Sequence, residues 1–329
     1  MKKRPKISVI IPVYNVLPYL EQCLNSVSKQ SFQDWECIIV DDGSTDGCSA
    51  FIDCYIKEDT RFSVIHKKNE GLAAARQSGL EVAHGEYVVH IDSDDYVDID
   101  HLLNLVSIAE NEKADIVLED YYIDKSGQQI LMHQCPSSLK KKSLVCETLR
   151  GRYHAGLWCK IFKRELITKN SIPQAPFSYY EDMFTYLSCL HYALNVVYAP
   201  YATYHYRYNE QSMTNDKDLQ KRVNMFEQCM NNLLAIQELS QYRNDDDFIK
   251  ATYYRANYEK AQLLGNASHY AAKKPYLMKY FPDSPTIIKI TDFRSWGLKN
   301  ALNGNVIPYL LFKACHFSGR MIHKFFSEH

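Results

Sequence analysis

Asp92, Asp94 and Asp95 put three carboxylates within four residues, around Ser93, at the end of the stretch Gly85 to Val97. Ahead of them Tyr87, Val88, Val89 and Ile91 form the short β-branched and aromatic run expected of a buried parallel strand. Acids so crowded repel one another unless a positive charge sits among them. In an open α/β sheet, ligands bind at the carboxyl ends of strands. An Asp-x-Asp there can hold a hard divalent cation through oxygen and present it to a diphosphate. The competing reading is a helix N-terminus, in which acids ahead of Val97-Asp98-Ile99 cap a following helix and suit its dipole. An EF-hand calcium loop is excluded, because Val97 stands where the sixth position requires glycine.

Three further polar turns follow apolar runs. Val13-Tyr14-Asn15 follows Ile7 to Pro12, read as a strand that Pro12 stops. Asp41-Asp42-Gly43-Ser44-Thr45-Asp46-Gly47 follows Cys37 to Val40, and Lys67-Lys68-Asn69-Glu70-Gly71 follows Phe62 to His66. Helices fit between them. One begins near Pro18 with Leu20, Cys23, Leu24 and Val27 at helical spacing, one runs through Ile52, and one carries Leu72, Arg76, Gly79 and Leu80 and closes at Gly85. Strands alternating with helices imply right-handed crossovers and a parallel sheet covered on both faces. All four turns then share one edge.

At that edge Tyr14 can lie flat against a base, and Asp41 or Asp42 can accept from an imide N–H such as uracil offers. Arg76 either adds positive charge there or is a solvated helix arginine. The sequence has no Gly-x-x-x-x-Gly-Lys-Ser/Thr and no strand-borne Gly-x-Gly-x-x-Gly, so a diphosphate would be held through a cation and not by a glycine-rich loop.

The totals narrow the classes. A chain of 329 residues makes one large domain or two modest ones. A net charge of −1 gives no field to recruit nucleic acid. The 10 cysteines are scattered without zinc-ligand or Cys-x-x-Cys spacing, which predicts buried, reduced thiols and a cytoplasmic location. The apolar run after Met1-Lys2-Lys3-Arg4-Pro5 is short and lacks a cleavage site, and no stretch approaches the ~20 apolar residues of a spanning helix. Neither export nor a membrane span is expected.

From Ala114 the pattern changes. Asp115 to Leu118 reads as a strand and Lys125-Ser126-Gly127-Gln128 as a turn, which predicts antiparallel additions to the sheet. Gly156 to Leu166 reads as strand then helix, and Tyr180-Glu181-Asp182-Met183-Phe184 opens another helix. Glu181 and Asp182 either compensate that helix dipole or supply a general base. The segment Tyr198 to Tyr208 is dense in tyrosine; Arg207 and then Ser212-Met213-Thr214 offer phosphate contacts, or the segment is a lid packed by aromatics. Beyond Asn215 the chain reads as helical. Residues 306–326 contain no Asp or Glu; Lys313, His316, Arg320, His323 and Lys324 share one face opposite Leu310, Ala314, Phe317 and Met321. That pattern fits an interfacial basic amphipathic helix on an anionic membrane, or a terminal helix docked on its own domain.

Ser8-Val9-Ile10-Ile11-Pro12-Val13-Tyr14-Asn15, Val40 to Asp46, Asn69-Glu70-Gly71 with Ala75-Arg76, Ile91 to Asp95, Trp158-x-Lys160 and Glu181-Asp182, in this order, resemble the family-2 glycosyltransferases. The resemblance covers roughly residues 5 to 214. It implies the α/β GT-A fold, a Rossmann-like mostly parallel sheet flanked by helices, over residues 1–214, with a nucleotide half at 5–97 and an acceptor half at 98–214. Residues 215–329 are expected to be an all-helical C-terminal extension. It also implies an inverting, single-sugar transfer from a UDP-sugar with Mn²⁺ or Mg²⁺. Pro12, Tyr14, Asn15, Asp41 and Asp42 would hold the nucleoside, Asn69 and Arg76 would lie along the donor, and Asp92 with Ser93 would touch ribose or sugar. Asp94 would ligate the metal and Asp182 would be the base. Trp158, Lys160, Glu181, Arg207, Ser212 and Thr214 are the acceptor or phosphate candidates, Trp158 by stacking on a sugar. Gln77 departs from the family's usual Asn after the arginine. The Gln-x-x-Arg-Trp motif of processive synthases is missing; only Arg294-Ser295-Trp296 is comparable. The acceptor expected is a glycan or lipid-linked glycan of a bacterial surface polysaccharide.

Two rival functions fit fewer of these residues. A nucleotidyltransferase needs Gly-Ser shortly before Asp-x-Asp, whereas Gly43-Ser44 lies far upstream. A non-catalytic sugar-nucleotide or glycan-binding partner subunit would not need Asp94 and Asp182.

Overall fold

The computed structural model of the chain describes residues 4–125, 127–208 and 218–264. They form two compact units. One comprises the described residues up to Lys141 together with 154–208. The other comprises 142–153 and 218–264.

The first unit is built on nine strands: β1 (Ile7–Val13), β2 (Trp35–Asp41), β3 (Phe62–His66), β4 (Tyr87–His90), β5 (Tyr96–Val97), β6 (Ile116–Lys125), β7 (Gln128–Met132), β8 (Lys160–Lys163) and β9 (Val196–Arg207). Among the described residues they make one sheet in the order β3-β2-β1-β4-β8-β6-β9-β5, with β7 on β6. The block β3-β2-β1-β4 is parallel throughout. Beyond it the direction changes: β8 is antiparallel to both β4 and β6, β7 to β6 and β5 to β9, while β6 and β9 run parallel. The antiparallel additions expected after Ala114 are present.

β1 lies at the centre of the parallel block because all seven of its residues are buried, and each fully buried Val or Ile there is worth roughly 1.5–3 kcal/mol. Helix α1 (Leu17–Ser28) buries Leu20, Cys23, Leu24 and Val27, the four residues at helical spacing. Helices α2 (Cys48–Tyr55) and α3 (Leu72–Val82) complete the crossovers. Gly79 of α3 is packed so closely that an added Cβ would lie 2.6 Å from Ile10 Cγ2. Helices α4 (His101–Asn111), α6 (Arg164–Lys169) and α7 (Glu181–Tyr192) belong to the other half of the sheet.

Three local expectations are corrected. Pro12 does not stop β1, which pairs with β2 through Val13. Val13 O accepts the Asp42 N–H from the β2 side at 2.9 Å, and Ile10 O accepts the Ile91 N–H from the β4 side at 3.1 Å. Alternation therefore turns the proline nitrogen toward β4 beyond that strand's last pair, where no donor is needed. Gly85 does not close α3, which ends at Val82; instead it rests on β1, where a Cβ would lie 2.4 Å from Ser8 N. The acids Asp92 to Asp95 do not open a helix. They lead into the short strand β5, and α4 begins only at His101.

The second unit consists, among the described residues, of α5 (Lys141–Leu149, from Lys142 onward), α8 (Leu219–Leu239) and α9 (Asp246–Leu264). Its core uses Leu144, Leu149, Val223, Phe226, Met230 and Phe248. Buried Arg255 donates from Nε to Leu149 O at 2.9 Å and from Nη2 to Thr148 O at 3.1 Å, capping the carbonyls that end α5. Residues 142–153, expected within 1–214, pack with this unit. No helix among the described residues is long and apolar enough to cross a membrane. The basic stretch 306–326 lies outside the described residues, as do Ser212 and Thr214.

Candidate active site

Because β1, β2, β3 and β4 are parallel neighbours, the turns after them open on one rim. Tyr14 there is half exposed at 50%. Asn15 takes a left-handed φ of +52°, a conformation asparagine tolerates. Its Oδ1 accepts the Thr45 N–H at 2.8 Å, and its own N–H donates to Ser44 Oγ at 3.2 Å. Asp46 extends this lacing by accepting the Leu17 N–H at 2.9 Å. The turn after β1 and the turn after β2 are thus one hydrogen-bonded surface.

Asp41 and Asp42 are both buried. Asp41 accepts from the Ser44 N–H at 3.0 Å, from Ser49 Oγ, and from His66 Nδ1 at 2.9 Å. Burial pushes its carboxyl up, but the donors of Ser49, Ser44 and His66 outweigh that and hold it below the ordinary range. Asp42 accepts the N–H groups of Glu70 at 3.0 Å and Gly71 at 2.8 Å. It therefore shapes the turn bearing exposed Asn69. Gly43, at φ +77°, leaves no room for a side chain, since a Cβ would meet Asn69 N at 2.8 Å.

At the end of β4, Asp92 and Asp94 are partly exposed while Ser93 and Asp95 are buried. Arg76, buried on α3, bridges two acids: Nη2 donates to Asp92 Oδ1 at 2.7 Å, and Nη1 pairs with Glu181 Oε1. Arg76 is not a solvated arginine. This ion pair also brings the start of α7 to the same rim. Tyr180, ahead of α7, has φ +69°, strained for a bulky residue and the kind of backbone outlier found at functional sites. Asp182, partly exposed, follows it. Burial pushes its carboxyl up from the ordinary range against the opposing pull of Arg76. A carboxylate so shifted is a stronger base.

Two acceptor candidates are corrected. Trp158 is 3% exposed and lies in the core, stacked on Tyr204 at 4.6 Å and Tyr206 at 5.5 Å, so its stacking surface is already covered. Lys160 is buried, and its Nζ donates to His154 O at 2.9 Å and Gly156 O at 2.5 Å above the Tyr186 ring. Packing in the strip between β4 and β6 turns both inward. Arg207 differs: its guanidinium lies 4.9 Å from the Tyr19 ring centre and 5.5 Å from that of Tyr96, and it donates to Gln22 Oε1 at 2.6 Å. Sequence reasoning missed His66 and Tyr204. His66 pairs in register with Asp41 across β2 and β3, and Tyr204 alternates with Tyr206, a period-two signal that puts both on one face of a strand.

A hard cation fits the turn after β4. Asp92 and Asp94 are partly exposed carboxylates on either side of Ser93, and Asp95 beside them is driven up by burial and then by repulsion from both. No three His, Cys, Asp or Glu side chains among the described residues converge as a metal cage. A cation at Asp94 would take its other oxygens from phosphate and water, as Mg²⁺ habitually does. A groove of about 440 Å³, counted out to solvent, runs beside α3 past His90, Gln77 and Thr185 and is lined also by Arg76 and Glu181. It does not reach Tyr14, Asp42 or Asp94, so it is not the nucleotide rim.

Comparison with known proteins agrees with this geometry. Residues 8–169 match the family model "Glycosyl transferase family 2". EpsH of Bacillus subtilis (strain 168), a protein named as a glycosyltransferase, is 30% identical over 256 residues, 74% of each chain. TuaG of the same organism, a glycosyltransferase named for teichuronic acid biosynthesis, is 47% identical over 93 residues, 28% of this chain and 37% of that protein. Among solved structures, residues 1–349 of S. aureus TarS in complex with UDP-GlcNAc superpose with a TM-score of 0.65 at 20% identity, covering 95% of this chain and 92% of that one. The sheet order, its flanking helices and these matches together establish that the chain is a glycosyltransferase of family 2 with the GT-A fold.

Proposed function

We propose that the protein is an inverting, non-processive transferase that moves one sugar from a UDP-sugar to a hydroxyl of a glycan or lipid-linked glycan during assembly of a bacterial surface polysaccharide. One observation carries the reading: the turns after β1, β2 and β4 and the start of α7 face the same rim, with Arg76 joining Asp92 to Glu181. Tyr14 and Asn15 line the nucleoside side with Pro12 behind them, while Asp41 and Asp42 set the shape of that wall. Asn69, Arg76, Asp92 and Ser93 lie along the donor.

Asp182 takes the proton of the acceptor hydroxyl as that oxygen forms its bond to the anomeric carbon. The bond from that carbon to the diphosphate breaks on the opposite face, its electron pair leaving with the diphosphate, so configuration inverts. A Mg²⁺ or Mn²⁺ at Asp94 would stabilise the departing diphosphate as a Lewis acid. Arg76 adds fixed positive charge beside Asp92. The UDP-GlcNAc held by TarS and the teichuronic acid role in the name of TuaG favour this donor and acceptor class.

A thermal-shift panel of nucleotide sugars with Mn²⁺ tests the donor, because a ligand that binds the native state raises its melting point. A UDP-sugar is expected to give the largest rise. No rise with any nucleotide sugar would overturn the reading. Hydrolysis of the best binder without added acceptor then separates a catalyst from a binding subunit.

A further inference from the structure

We propose that Tyr204 and Asp95 are positioning residues, a latch that holds the acid turn in the shape that lets Asp94 meet a divalent cation and that ties this turn to Arg207. The inference rests on the cation role given to Asp94 above.

A phenol has one hydrogen to donate and lone pairs to accept with, and Tyr204 uses both functions on this turn. Its hydroxyl accepts the Asp92 N–H at 3.1 Å and donates to Asp95 Oδ2 at 2.7 Å. The other oxygen of Asp95, Oδ1, accepts the Arg207 N–H at 2.7 Å. Both oxygens of this buried acid are therefore engaged by β9. The Asp95 N–H closes the turn on Asp92 O at 3.0 Å. The four-residue turn is held at its first and last members, with Asp94 between them.

The latch is backed by close packing. Tyr204 is wholly buried, and Trp158 stacks on its ring at 4.6 Å with 24° between planes. That gives Trp158 a place in the site's construction: it backs the tyrosine that holds the acids. The regular ladder offers little alternative, because β5 pairs with β9 over only Tyr96 and Val97. Through Arg207 the same strand end reaches Tyr19 and Gln22 on α1, so one strand end touches both the cation turn and the helix that follows the Tyr14 turn.

Partners that orient a metal ligand typically cost about 10- to 100-fold in metal affinity when removed. The full chain carrying Tyr204→Phe is compared with wild type by calorimetric titration of Mn²⁺ in the presence of UDP, and of UDP in EDTA. The variant is expected to bind Mn²⁺ about 10-fold more weakly or worse, as for a lost orienting partner, while its UDP affinity in EDTA stays as in wild type. Equal Mn²⁺ affinity in the two proteins overturns the latch. So does an equal loss of both affinities, which is what general damage to the fold would give. If Tyr204→Phe does not fold, Asp95→Asn, which preserves volume and one oxygen, is judged by the same two titrations. A wild type that binds no UDP with Mn²⁺ would sink the proposed function itself; a variant as good as a binding wild type sinks only the latch.

Discussion

The acid turns after β2 and after β4 bring the same residue type to the same end of the same parallel block, and the protein uses them differently. After β2 every carboxylate oxygen of Asp41 and Asp42 meets a donor, from Ser44, Ser49, His66, Glu70 or Gly71. After β4 both oxygens of buried Asp95 and one oxygen of Asp92 meet donors, yet Asp92 and Asp94, both partly exposed, still repel Asp95. A carboxylate matched by backbone N–H and hydroxyl donors is a piece of scaffold, since its charge is already compensated where it is made. One kept beside like charges at a partly open rim is where the proposed function would seat a cation. Counting acids at strand ends does not separate these cases; their burial and the repulsion among neighbouring acids do.

The largest expected effect lies outside both turns. Asp182→Asn should lower transfer on the order of 10²-fold or more, as loss of a general base does, with UDP binding and melting temperature unchanged. Steady-state turnover beside a UDP titration checks it, and unchanged turnover would move the base elsewhere.

Next come paired substitutions that set the two turns against each other. Asp94→Ala should weaken Mn²⁺-dependent UDP binding by at least the ~10- to 100-fold that even orienting partners are worth, with little change in stability. Asp42→Ala should do the reverse. It removes the acceptor of the Glu70 and Gly71 N–H groups, which are only partly buried, at about 0.5–1.5 kcal/mol per hydrogen bond lost, and leaves the Mn²⁺ dependence intact. Denaturant melts and Mn²⁺ titrations on both variants decide the matter. If Asp42→Ala abolishes the Mn²⁺ dependence at unchanged stability, the contrast between scaffold and cation turn is wrong.

What the sequence made legible was the part set by local pattern. β3 runs over Phe62–His66 as its apolar run indicates, and α1 buries the four residues its spacing selects. Strand–helix alternation alone places the turns that carry Tyr14, Asp42 and Asp94 at one end of the parallel block. What stayed hidden depends on neighbours. Pro12 sits inside β1 because β4 is short beside it, a fact about another strand. Trp158 and Lys160 carry a family pattern, but Tyr204, Tyr206 and Tyr186 decide that they point into the core. Whether Arg76 was solvated or bridging turned on Glu181, 105 residues away. Partner identity across such separations is settled by packing and not by periodicity.

The smallest effect probes how the β2 turn is held. His66 donates toward Asp41 through Nδ1 and lies 3.0 Å from Asp53 of α2 through Nε2. These two hydrogen bonds raise its imidazole above 6.5. A group with a raised folded value contributes stability that is complete below its unfolded value, near pH 6.5, and lost as pH climbs through the folded one. Asp41 runs the other way: its lowered carboxyl contributes above its unfolded value and loses that as pH falls. The pair is therefore strongest between the acid titration of Asp41 and the raised titration of His66. Since the imidazole is 40% exposed, solvent screens it and its share should stay under about 1 kcal/mol. Urea melts of wild type and His66→Gln should differ at pH 6 and converge by pH 9. A gap that widens with pH would mean that His66 holds Asp41 as a neutral donor, and that the β2 turn keeps its shape without the charge.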